Sequence, residues 1–387
     1  MNKDIYKKLL DEQLNELGRK KLLREIMDRQ GPQGAAVSVN GKTLVNFSSN
    51  DYLGLAASPR LISASMAASR DFGAGAGAAR LLAGGTRLHK ELEEKAAAFT
   101  GHEAALLFNS GYHANTGTIP ALAGPDCTIF SDELNHASII DGCRLSRAKT
   151  VIFRHADPEH LGRLLKAERA ENERALIITE SVFSMDGDIA PIEDIFGLCE
   201  RYGADLYVDD AHAVGVLGAG RGSLAHFGLT PSGPAVIQMG TFSKALGSYG
   251  AFIAADIGII GWLKNTARTF IFSTALPPSV AGASLAALEI LDSGEGLSLM
   301  EKLHANRNLL YNGLSKQGFD MGDTKSPVIP VFVGGIDEAV LASKRLLDAG
   351  FYVPAIRPPT VNRARLRLQV TAAHSESHIN SLLAALK

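Results

Sequence analysis

Seven short apolar runs, separated by stretches of helical periodicity, constrain this chain more than any other feature. They are Ala104–Asn109, Cys127–Asp132, Thr150–His155, Ala175–Ser181, Asp205–Asp210, Ala235–Gly240 and Ala251–Asp256. A strand with one solvated face would alternate apolar and polar residues. These runs are apolar nearly throughout, so both faces of their sheet are covered. The segments between them repeat about every 3.6 residues. Ile192, Ile195, Phe196 and Cys199, for example, share one face of a helix opened by Pro191 and closed near Gly203. Strands alternating with helices predict an α/β fold with a mainly parallel central sheet sandwiched by helices.

In such sheets, ligands bind beyond the carboxyl ends of the strands. Directly after the runs stand Ser110–Gly111, Glu133 to His136, Glu180 to Ser184, Asp209 to His212, and Thr241 to Lys244. The topology therefore predicts one pocket that collects them. Lys244, in "VIQMGTFSKALGSYG", follows a buried strand among small residues, whereas most loop lysines are solvated. Burial disfavours an ammonium group, lowers its pKa and makes the amine a nucleophile fit for a Schiff base.

Asp209 ends another apolar strand. Helix capping is the default reading for Asp210, but a carboxylate at Asp209 suits a protonated ring nitrogen such as that of pyridoxal phosphate (PLP). His136 and His212 each read alone as satisfied polar residues; together, at two strand ends of one sheet, they favour a site. Ser110 and Gly111 lie where a strand turns into a helix, so free N–H groups and the helix dipole face an anion, with hydroxyls from Thr241 and Ser243.

Arg365 and Arg367 alternate with Leu366 and Leu368 on a half-buried strand. They form either a solvated strand face or a guanidinium fork for a substrate carboxylate. The loop "DFGAGAGAARLLAGGT" does not sit between a strand and a helix of a βαβ unit. It is read as flexible packing and not as a dinucleotide fingerprint.

A chain of 387 residues exceeds one compact core. We expect a helical arm over residues 1–45, the PLP-binding α/β domain over 46–285 and a smaller α+β C-terminal domain over 286–387. The net charge of −2, with no basic block, excludes nucleic-acid or anionic-membrane binding as an expectation. Cys127, Cys143 and Cys199 have no metal-like spacing and read as reduced core thiols of a cytoplasmic protein. The first segment is charged and amphipathic, with no apolar signal core and no run of bilayer length.

The motifs "NFSSNDYLGL", "FNSGYHAN", "NHAS", "ESVFSMDGD", "VDDAHAVGVLG", "TFSKALGSYG", "FSTALPP" and "AIRPPTV" occur in this order along nearly the whole chain. In these the chain resembles the α-oxoamine synthase family of fold-type I PLP-dependent transferases. The resemblance implies that Lys244 carries PLP as a Schiff base and later moves the substrate α-proton. It implies that Asp209 pairs with the pyridine nitrogen, His136 stacks on the ring, and Ser184 and His212 bond its phenolic oxygen. Ser110, Gly111, Tyr112 and Thr241 would bind phosphate, with Thr274 arriving from the partner of a homodimer.

Asn50 and Arg367 would hold the amino-acid carboxylate, with Arg24 and Thr360 as further substrate contacts and Glu180 beside the thioester carbonyl. The implied reaction is the decarboxylative condensation of L-alanine with a pimeloyl thioester of coenzyme A or a carrier protein, a step of biotin synthesis. The rival within the family is glycine with acetyl-CoA. The rival of a different class is a non-catalytic PLP-fold scaffold, for which an intact Lys244, Asp209 and histidine pair would be superfluous.

Overall fold

The computed structural model describes residues 3–24, 26–168, 174–230 and 235–387. Its strands are β1 (Arg29–Gln30), β2 (Ala36–Val39), β3 (Lys42–Asn46), β4 (Ala104–Phe108), β5 (Cys127–Asp132), β6 (Lys149–Phe153) and β7 (Arg174–Glu180). There follow β8 (Asp205–Asp209), β9 (Val236–Thr241), β10 (Ala251–Ala255), β11 (Val328–Val331), β12 (Phe351–Tyr352), β13 (Ala355–Ile356) and β14 (Arg365–Gln369).

The seven apolar runs become one sheet, ordered β4-β10-β9-β8-β7-β5-β6. Neighbours from β9 to β6 are parallel, and β10 runs against both β9 and β4. The exception has a simple cause. Only residues 242–250 link β9 to β10, too short a connection for the helical crossover that a parallel neighbour needs.

Both faces are covered, as uninterrupted apolar strands require. Leu176 and Ile178 of β7 join one hydrophobic cluster with Ile119, Ile139 and Leu263, while Ala175 and Ile177 join another with Leu161, Ile195 and Cys199. All three cysteines are buried. The helix Ile192–Tyr202 begins after Pro191 and stops at Gly203, whose φ of 58° is the left-handed value of a glycine C-cap.

The arm differs from the sequence expectation. It is helical over Lys3–Arg19, but β1, β2 and β3 form an antiparallel sheet that β12 joins in parallel from the far end of the chain. The signal was present in "VSVNGKTLV": Asn40 and Gly41 have φ of 51° and 75°, the paired positive values of a tight two-residue hairpin turn.

Helices Pro278–Leu291 and Gly294–Lys316 lead to the antiparallel sheet β11-β14-β13. Strand β14 is buried at every position, Arg365 and Arg367 included, so the reading of a solvated arginine face does not hold. The period of two is kept, with Leu366 and Leu368 turned to the core. The opposite, polar face is covered by the segment at Ser184–Asp186 and by Asn50. That segment is pinned at Gly187, where a Cβ would lie 2.0 Å from the Val328 carbonyl oxygen.

Candidate active site

The ends of β5, β7, β8 and β9 open onto a cavity of ≈ 280 Å³. Strand register decides who meets whom. Glu180 pairs with Asp209, and Asp209 with Met239, so two carboxylates stand on adjacent strands, with Thr241 just beyond on the third.

Lys244 follows in a compact turn closed by Gly247 N–H to the Lys244 carbonyl at 2.9 Å and Ser248 N–H to the Phe242 carbonyl at 2.8 Å. Gly247 has φ +63°, and a Cβ there would lie 2.3 Å from the Ala56 backbone nitrogen. Only glycine lets this turn press against the segment after Asn50. Lys244 lines the cavity, and loss of solvent lowers its pKa to about 8 against the opposing pull of Asp209 and Glu180.

Asp209 is held from behind. Its Oδ2 accepts from Asn115 Nδ2 at 2.8 Å and its Oδ1 from Ala211 N–H at 2.9 Å. Asn115 also donates to Ser138 Oγ at 2.8 Å and accepts from the Tyr207 hydroxyl at 2.7 Å. Glu180 is buried, and burial followed by the charge of Asp209 raises its pKa well above the usual carboxylate value.

His136 lines the cavity and caps the helix Ala137–Ser146, its Nδ1 accepting from Ser138 N–H at 3.2 Å; burial depresses its pKa. His212 is held far below its ordinary pKa by burial, with Lys244 and Arg367 adding to the effect.

Gly111 and Tyr112, in the first turn of helix Gly111–Leu122, line the cavity, as do Thr241 and Ser243. The N–H groups of a first helical turn have no partners within the helix, which suits a phosphate. Ser110 is the N-cap: its hydroxyl accepts from His113 N–H at 3.2 Å. Asn50, Ser184 and Arg367 line the cavity as a bonded group. The buried Arg367 donates Nε–H to the Ser184 carbonyl at 2.7 Å and Nη2–H to Asn50 Oδ1 at 3.4 Å. Arg365, on the same face of β14, does not line the cavity and is bonded to Asp186 and to the Met185 carbonyl.

The cavity thus gathers Gly111, Tyr112, His136, Glu180, Ser184, Asp209, His212, Thr241, Lys244, Asn50 and Arg367. It does not gather Ser110, Arg24, Thr274 or Thr360; the last three are exposed, and Thr274 offers its carbonyl to Asn109 at 2.9 Å. Sequence reading missed Asn115 and Tyr52. An asparagine one turn into a helix of small residues was a usable sign for the first. For the second there was no local sign.

A lowered lysine, a carboxylate, a hydrogen-bonding histidine and an anion cradle together fit PLP: amine for the aldehyde, Asp209 for the ring nitrogen and helix N-terminus for the phosphate. The comparisons agree. The model of aminotransferase class I and II matches residues 42–386. A putative 8-amino-7-oxononanoate synthase of Thermodesulfovibrio yellowstonii is 47% identical over 98% of this chain and 96% of its own length. The 8-amino-7-oxononanoate synthase of Geobacter sulfurreducens is 46% identical over 97% and 96%.

Among solved structures, serine palmitoyltransferase of S. paucimobilis with bound PLP and myriocin superposes with a TM-score of 0.91 at 29% identity, covering 100% of this chain and 97% of that one. An 8-amino-7-oxononanoate synthase of Francisella tularensis gives 0.77 at 27%, covering 89% and 96%.

Proposed function

The chain belongs to the aminotransferase class I and II family, and from that premise we propose that it condenses L-alanine with a pimeloyl thioester. Carbon dioxide and the free thiol leave, and 8-amino-7-oxononanoate is formed for biotin synthesis. Bound PLP supplies the electron sink that stabilises negative charge on the amino-acid α-carbon.

The chain's own groups do the rest. Lys244 Nζ anchors the cofactor. The amine of the incoming amino acid would displace Lys244 Nζ from the cofactor, and the released lysine amine, its pKa lowered by burial, would accept the α-proton. Asp209, fixed by Asn115 and Ala211, keeps the ring nitrogen protonated. Arg367 and Asn50 orient the substrate carboxylate. Glu180, whose pKa burial raises, donates to the thioester carbonyl oxygen, where negative charge develops.

We assign Ser110 to the phosphate end and Arg24 and Thr360 to the acyl entrance. Thr274, exposed in its own chain, serves the neighbouring pocket of a homodimer in the cytoplasm. The observation that carries the reading is a lysine of lowered pKa sharing one cavity with Asp209 and the buried Arg367. The names of the curated relatives favour the alanine and pimeloyl pair. The test is thiol release by the PLP-loaded protein with L-alanine plus pimeloyl-CoA and with glycine plus acetyl-CoA. Faster release by the first pair is expected; faster release by the second overturns the substrate assignment.

A further inference from the structure

Tyr52 is fully buried, in the turn between β3 and the helix Pro59–Phe72, and no role was read for it in the sequence. Its hydroxyl lies 2.6 Å from His212 Nδ1. Burial pushes its pKa up to about 12, so at neutral pH the oxygen carries its proton.

Where that proton points is a matter of elimination. The Arg367 guanidinium, which bears on the phenolic oxygen, can only donate to it. Asn50 Oδ1 is 3.4 Å away, and it already takes Gln369 Nε2 and, at 3.4 Å, Arg367 Nη2. The acceptor at good distance is His212 Nδ1. A buried hydroxyl left without an acceptor is costly, so the reverse arrangement, with Nδ1–H donating to Tyr52, is disfavoured. A doubly protonated ring is disfavoured as well, because His212 is buried and faces Lys244 and Arg367.

We propose that Tyr52 is a positioning residue whose hydroxyl occupies His212 Nδ1 and fixes the single ring proton on Nε2. His212 is then a neutral donor with one defined proton, set at the cavity wall before any ligand arrives. The inference rests on the PLP reading only for the identity of the acceptor, the phenolic oxygen of the cofactor. The tautomer itself is a property of the unloaded chain. Because the hydroxyl also lies beside Arg367 and Asn50, the groups assigned to the substrate carboxylate and the ring donor share one buried network.

The experiment is nitrogen NMR of the full-length chain with 15N-labelled histidine, with His212→Asn to assign the signal. Without cofactor, Nδ1 of His212 is expected in the unprotonated range and Nε2 in the protonated range, unchanged across neutral pH. A protonated Nδ1, or a ring that titrates near the ordinary histidine value, overturns the proposal whether or not PLP binds.

Tyr52→Phe keeps the ring and removes the hydroxyl. Both tautomers are then expected in exchange, and PLP affinity, read by absorbance titration, falls roughly three- to tenfold, the worth of one hydrogen bond. Retention of the single Nε2–H tautomer in this variant also overturns the proposal. If the variant does not fold, the wild-type spectrum still decides. Normal PLP binding with the wrong tautomer sinks this inference alone, and the right tautomer without PLP binding sinks only the cofactor reading.

Discussion

Replacing Asn115 by leucine tests whether Asp209 depends on support from outside the cavity. Leucine fills a similar volume, so the change removes hydrogen bonds and leaves no large hole. It orphans the Tyr207 hydroxyl, fully buried and bonded to Asn115 at 2.7 Å, and removes the 2.8 Å donor to Asp209 Oδ2. Ser138 Oγ loses a donor too, but keeps His136 Nδ1 at 2.8 Å.

Each buried group left unsatisfied costs about 1–3 kcal/mol, and more when it is charged. Asp209 retains Ala211 N–H at 2.9 Å, which tempers its share. The sum is a loss of roughly 3–5 kcal/mol in unfolding free energy, with weaker PLP retention because the carboxylate is no longer held in place. Urea denaturation of the unloaded protein measures the first, and absorbance after gel filtration of the loaded protein the second. A loss below about 1 kcal/mol together with unchanged retention would show that Asp209 does not depend on Asn115.

His155 bridges Asp132 Oδ1 at 3.0 Å and Asp188 Oδ2 at 2.9 Å; burial would lower its pKa, but the two carboxylates outweigh it and push it up to about 10. Because the folded value lies above the unfolded one, the bridge contributes fully below pH ~6.5 and is lost as pH rises towards 10. With the side chain 23% exposed, the contribution is no more than about 2 kcal/mol. Denaturation between neutral pH and pH ~10 should show a decline that His155→Gln flattens; an equal decline in the variant would remove the bridge from the account.

Gly247→Ala forces a Cβ to 2.3 Å from the Ala56 nitrogen at φ +63°, so the Lys244 turn must shift. PLP retention should drop severalfold, and an alanine variant that loads normally would contradict this.

Much of the fold was legible because its signals are local. The runs "CTIFSD" and "ALIITES" are buried on both faces wherever they are placed, and all seven end within two residues of the observed strand ends. The polar residues that follow them are gathered by topology alone. Pairings between distant segments were not legible. Nothing in "RARLRLQV" says that Ser184–Asp186 and Asn50 will cover its arginines, which is why a solvated face was an open reading. Tyr52 meets His212 and Gln369 meets Asn50 across long separations, through contacts that only the assembled sheets create. The antiparallel β10 and the Asn40–Gly41 hairpin were readable from link length and turn residues.

We propose that a single amine, that of Lys244, carries the cofactor in the cavity it shares with Asp209. Borohydride reduction of the PLP-loaded protein, followed by peptide mass mapping, tests it directly. One pyridoxyl adduct is expected, on the peptide containing Lys244, and its loss in Lys244→Ala with the fold retained. An adduct at another lysine, or none after loading, would contradict it.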